Sequence, residues 1–215
     1  MESPHFKQPV VLRGKPVKEA SGAVILLHGR GASAEDILGV VDEIRLNDLA
    51  YLAPQAARHT WYPNSFLAPL EQNEPWLTSA LELVRTVVER VSDAGISRDK
   101  IAILGFSQGA CLATEFVARH PGRYSGLIAF TGGLIGPPGT VFRYSPELAG
   151  TPCFLGSGDP DPHVPWERVK ESAAVLTGLG GNVRLKRYPG MPHTINSDEI
   201  AEARKILSAV VAEQA

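Results

Sequence analysis

Six short apolar runs alternate along the chain with longer stretches in which apolar residues recur every three or four positions. Ala23-Val24-Ile25-Leu26-Leu27 and Leu49-Ala50-Tyr51-Leu52-Ala53 are the first two, and 101–106, 126–131, 153–156 and 183–188 continue the series. Short runs of this kind, the first two uninterrupted by polar residues, predict buried strands. Helices are expected over 33–46, 75–94, 108–120, 166–179 and 197–212. In the second of these, Leu77, Leu81, Val84, Val88 and Val91 fall on one face, and Gly95 stands where the pattern ends. Ser33 precedes Ala34-Glu35-Asp36, an N-cap followed by acidic residues that complement the helix dipole. Ser197-Asp198-Glu199 opens the last helix in the same manner.

Because the strand runs do not alternate with polar residues, both sheet faces are expected to be covered. Regular strand–helix alternation then predicts an α/β architecture, a mostly parallel central sheet with helices on both faces, in a single domain over 1–215. Two long irregular segments remain, 54–74 and 134–152. Loops of that length inside a compact domain are commonly lids or binding loops, and 54–74 is expected to be lid-like.

The run 101–106 ends on Gly105-Phe106-Ser107-Gln108-Gly109 and passes directly into a helical pattern. G-x-S-x-G between strand and helix is a sharp turn that presents a serine hydroxyl above the sheet edge. The Gln108 amide, at the start of the helix, can face a developing oxyanion. A serine needs a base, and the base an orienting acid. Downstream, "FLGSGDPDPHVP" and "YPGMPHTI" follow the last two strand runs, at the carboxyl ends where open α/β sheets place their sites. The expected catalytic residues are therefore Ser107, Asp161 and His193. Asp159 is the rival acid, expected instead to fix its turn through backbone hydrogen bonds, and His163 is the rival base. The first strand run ends in His28-Gly29-Arg30-Gly31, a turn whose Arg30 amide would complete an oxyanion hole with Gln108. His28 itself is expected to be buried and bonded to neighbouring backbone.

Composition narrows the partners. The 215 residues are 44% hydrophobic and 20% charged, with a formal net charge of −2 and no basic stripe. A nucleic-acid partner and membrane insertion are not expected. Residues 1–9 carry no apolar core of a secretory signal, so a cytoplasmic location is expected. Cys111 and Cys153 lie in apolar surroundings without metal-ligand spacing and read as buried free thiols. No cofactor or metal is expected, since a triad carries out acyl transfer unaided.

"LLHGRGA", "GFSQGA", "GSGDPDPHVP" and "YPGMPHT", in that order, resemble the phospholipase/carboxylesterase family of α/β-hydrolases, which includes bacterial carboxylesterases and acyl-protein thioesterases. The resemblance extends over 26–194. It implies an α/β-hydrolase fold without a large cap domain, with Ser107 as nucleophile, His193 as general base and acid, and Asp161 as orienter. It assigns the oxyanion hole to the Arg30 and Gln108 amides, a small-molecule ester as substrate, and a homodimer as an allowed assembly. Members of the family often carry an apolar residue where this chain has Arg30. The side chain would then either pair with an anionic group of the substrate or lie in solvent. "TWYPNSFLAPLEQNEPW", residues 60–76, also departs from the thioesterase pattern. There Trp61, Tyr62, Phe66, Leu67 and Leu70 concentrate apolar bulk, either as the acyl pocket or as a satellite core. The expected activity is hydrolysis of small to medium acyl esters. Acyl thioesterase or lysophospholipase activity is the alternative, and a non-catalytic binding protein a more distant one.

Overall fold

The structure is a computed structural model that describes residues 3–145 and 147–212. Positions 1, 2, 146 and 213–215, which the single-domain reading includes, lie outside the described residues. Strands form at Val10–Gly14 (β1), Gly22–Leu27 (β2), Leu49–Pro54 (β3), Ile101–Phe106 (β4), Gly126–Phe130 (β5), Pro152–Asp159 (β6) and Asn182–Pro189 (β7). Helices occupy Ala34–Ile44 (α1), Trp76–Asp93 (α2), Gln108–Arg119 (α3), Trp166–Gly178 (α4) and Ser197–Ala212 (α5). The strands make one sheet in the order β1-β3-β2-β4-β5-β6-β7, parallel throughout except for β1, which runs antiparallel to β3. This is the α/β-hydrolase fold.

Helices flank both faces. Ala23, Ile25 and Leu27 of β2 pack with α2, α3 and α4, while Val24 and Leu26 pack with α1 and α5. Strand side chains alternate in direction, so a run with no polar position is what two covered faces require. The expectation holds for the five inner strands and fails at the edges. Five of the eight residues of β7 are exposed and none is fully buried, and Leu12 on β1 is 66% exposed. Charge covers these edges instead: Arg184 and Lys186 of β7 pair with Glu202 of α5, and Arg13 of β1 pairs with Asp42. Strand β1 was not expected, because Val10-Val11-Leu12 is too short a run to stand apart from the polar start of the chain.

The second irregular segment is held by two buried ionic side chains. Arg168 of α4 donates to the carbonyls of Leu134, Gly136 and Pro137 at 2.9, 2.7 and 3.1 Å. Glu115 of α3 accepts from the Ile135 amide and the Tyr144 hydroxyl, both at 2.9 Å, and from Arg119. These bonds satisfy backbone groups that have no sheet or helix partner. Cys111 and Cys153 are free and buried, and burial pushes both thiols up to about 12. Among the described residues no helix is long and apolar enough to cross a membrane.

Candidate active site

Ser107 stands alone between the end of β4 and the start of α3, at φ 54 and ψ −118. A positive φ is strained for a residue with a side chain, and it persists only where the surroundings enforce it. The Ser107 amide donates to Phe130 O at 3.0 Å, and its carbonyl accepts from Cys111 N at 3.0 Å, inside the helix. The two glycines follow from the same packing. A Cβ at Gly105 would collide with the Gly109 carbonyl, and one at Gly109 with the carbonyls of Leu27 and His28. Helix α3 thus starts hard against the ends of β4 and β2.

The loop after β7 carries His193 over this turn. Its Nε2 lies 2.8 Å from Ser107 Oγ, and its Nδ1 lies 2.7 Å from Asp161 Oδ2. The other Asp161 oxygen accepts the His163 and Val164 amides at 2.8 and 2.9 Å. An ionised carboxylate only accepts, so Nδ1 carries the imidazole proton and Nε2 is left to accept from the serine hydroxyl. Burial pushes the Asp161 carboxyl up, but the His193 ring and the two amides outweigh it and hold the group below the usual carboxylate range. The rings of Phe106 and His163 pack on His193, with centroids 5.0 and 4.9 Å away.

Neither rival residue is part of the bond path to Ser107. Asp159 does not bond within its own turn, contrary to the expectation from the sequence; its carboxylate pairs with Arg187, and its carbonyl accepts from Gly190 N, just beyond β7, at 3.0 Å. His163 is exposed at the rim and meets the edge of His193 rather than the serine.

Gln108 is the first residue of α3, and Arg30 sits in the turn after β2. Among the described residues, neither amide donates to a protein acceptor. The Arg30 side chain is exposed, as one of the two expected courses has it, but its guanidinium is bonded to the neighbouring loop. It donates to Pro63 O at 2.7 Å, Asn64 O at 2.6 Å and Thr60 Oγ1 at 3.2 Å. His28 is buried as expected, with Nδ1 donating to Gly29 O at 2.8 Å and Nε2 accepting from Ala56 N at 3.1 Å.

A cavity of about 480 Å³ opens above Ser107 and His193. Tyr62, Phe66, Phe106, Cys111 and Val164 supply apolar wall. Trp61 and Leu67, both expected in this pocket, do not line it. Trp61 is fully buried beneath the loop, its indole N–H donating to His28 O at 2.8 Å, and Leu67 packs partly buried against the core. Two supports of the loop had no sequence signal. His5 accepts from Ala57 N at 3.0 Å and bonds Trp61 O at 2.9 Å, while Asn73 accepts from Asn64 N at 2.9 Å and donates to Ser65 O at 3.0 Å. A lone histidine near the start of a chain and an asparagine in an irregular segment carry no periodicity to single them out.

The sequence profile of the phospholipase/carboxylesterase family matches residues 9–211. A crystal structure of a phospholipase/carboxylesterase from Dyadobacter fermentans superposes with a TM-score of 0.89 at 43% identity, covering 95% of this chain and 97% of that one. A probable carboxylesterase of Oryza sativa subsp. japonica is 29% identical over 82% of this chain and 73% of its own length. Acyl-protein thioesterase 1 of Gibberella zeae is 32% identical over 56% of this chain, which spans about half, 52%, of that protein.

Proposed function

Because the chain belongs to the phospholipase/carboxylesterase family, we propose that it hydrolyses carboxylic esters of small to medium acyl groups through an acyl-enzyme on Ser107. The observation that carries this reading is the continuous bond path from Asp161 through His193 to a strained serine on the floor of a cavity. Ser107 Oγ attacks the ester carbonyl as its proton passes to His193 Nε2, and the Asp161 carboxylate stabilises the imidazolium that forms. Negative charge on the carbonyl oxygen is met by the Arg30 and Gln108 amides. The intermediate collapses, the C–O bond to the alcohol breaks, and Nε2–H supplies the alcohol's proton. Water then attacks the acyl-serine, gives its proton to Nε2, and the acid leaves as Ser107 recovers its hydrogen.

A volume of about 480 Å³ lies in the lower part of the roughly 300–1,000 Å³ range of small-molecule sites, which favours modest acyl groups. Thioester hydrolysis by the same steps is a second reading, supported by similarity to a thioesterase. An active-site phosphonate should add one mass adduct to the wild type and none to Ser107→Ala, whose turnover should fall by about 10⁴- to 10⁶-fold. Near-normal turnover in that variant would end the proposal.

A further inference from the structure

The two residues whose amides are assigned to the oxyanion each reach, by their side chains, the same five-residue stretch, 60–64. Arg30 bonds the carbonyls of Pro63 and Asn64, and its Cζ lies 6.0 Å from the centre of the Tyr62 ring. Gln108 Oε1 accepts from Trp61 N at 3.0 Å, and its Nε2 donates to Tyr62 O at 2.8 Å. Thr60 Oγ1 sits between them, 3.2 Å from Arg30 Nη1 and 3.3 Å from Gln108 Oε1. A backbone bond completes the link, from Gly31 N to His59 O at 2.7 Å. The turn that bears Arg30 is close enough to the serine that a Cβ on Gly29 would lie 3.6 Å from Ser107 Cβ.

We infer that the Arg30 guanidinium is a positioning residue: with the Gln108 carboxamide, it uses loop 60–64 as a strut that holds the two oxyanion amides in register. This rests on the ester-hydrolase reading above. The Arg30 amide lies between two glycines, the most pliable backbone a chain can place there. Oxyanion stabilisation depends on donors fixed before the charge develops. A planar guanidinium bonding two consecutive carbonyls supplies a rigid anchor that a lysine point charge does not. The strut is itself tied to the core through Trp61, His5 and Asn73.

The test is Arg30→Met, which keeps the amide and removes the anchor, assayed on p-nitrophenyl acetate with rates expressed per phosphonate-titrated site. Acetate barely uses the acyl wall, so a pocket defect alone would leave it untouched. Expected is a fall in kcat of about 10- to 100-fold, the scale of a misplaced group, with KM nearly unchanged. Arg30→Lys should recover part of the loss. The double variant with Gln108→Met should lose less than the product of the two single losses, because both act on one loop. Wild-type kcat in Arg30→Met, a change in KM alone, or strictly multiplicative effects would each overturn the inference. If Arg30→Met yields no titratable sites, Arg30→Lys decides: wild-type kcat there overturns the strut, and an intermediate value supports it. Failure of the wild type to label at Ser107 would remove the hydrolase reading and this inference with it. Labelling with unchanged Arg30 variants removes only the inference.

Discussion

Replacing Asp161 by asparagine separates the orientation of the imidazole from the folding of the site. Asp161 Oδ1 already accepts two backbone amides, from His163 and Val164. An asparagine there must keep its carbonyl oxygen toward those donors, which forces its NH₂ into the place of Oδ2, 2.7 Å from His193 Nδ1. Two donors cannot face each other, so Nδ1 becomes the acceptor and the ring proton moves to Nε2. That proton then points at Ser107, and the base is gone. The expected loss in kcat is about 10⁴-fold, equivalent to about 5.4 kcal/mol of transition-state stabilisation. Stability should change far less, since both amide bonds survive and only their charge assistance is lost. The acid limb should also change. Asp161 is held below its usual range, so in the wild type its contribution is present above the ordinary carboxylate range and lost as pH falls through the lowered value. The variant should lack that loss. The assay is steady-state hydrolysis of p-nitrophenyl butyrate per folded enzyme, alongside thermal melts over a pH series. A fall in kcat of less than about tenfold, in a folded variant, would refute the tautomer argument.

Trp61→Ala removes a fully buried indole and should cost about 3–5 kcal/mol of stability with little change in acyl-chain preference. Phe66→Ala also removes a buried ring, but it opens the cavity wall and should change acyl-chain preference in kcat/KM as well as stability; the same preference profile in the two variants would contradict their different placement. Burial raises the Glu199 carboxyl from 4.5 to about 7, with Oε2 accepting Asn196 N at 3.0 Å and Oε1 unpartnered. A folded value above the unfolded one means the fold favours the proton, so wild-type melting temperature should fall as pH rises from about 4.5 to 7, and Glu199→Gln should be flat there. Parallel melting curves for the two proteins would dismiss that explanation.

What could be read from the sequence is what repeats or turns locally. Leu77, Leu81, Val84, Val88 and Val91 mark α2 because a helix returns a side chain to one face every three to four residues. The inner strands show as unbroken apolar runs because both their faces are covered. Gly105, Ser107 and Gly109 were legible because the tight turn excludes side chains at those two positions whatever the rest of the chain does. The order of serine, acid and histidine followed from where strands end. Beyond that point, tertiary structure decided. Strand β1 is defined by its pairing with β3, residues far along the chain. Asp159, the last residue of β6, turns its carboxylate to Arg187 of β7, a pairing that only the sheet creates. Trp61 enters the core while Tyr62 faces the cavity, and the Arg30 guanidinium spans to Pro63 and Asn64. Irregular backbone has no period, so side-chain direction there is set by which distant donors, acceptors and packing surfaces the folded sheet brings within reach.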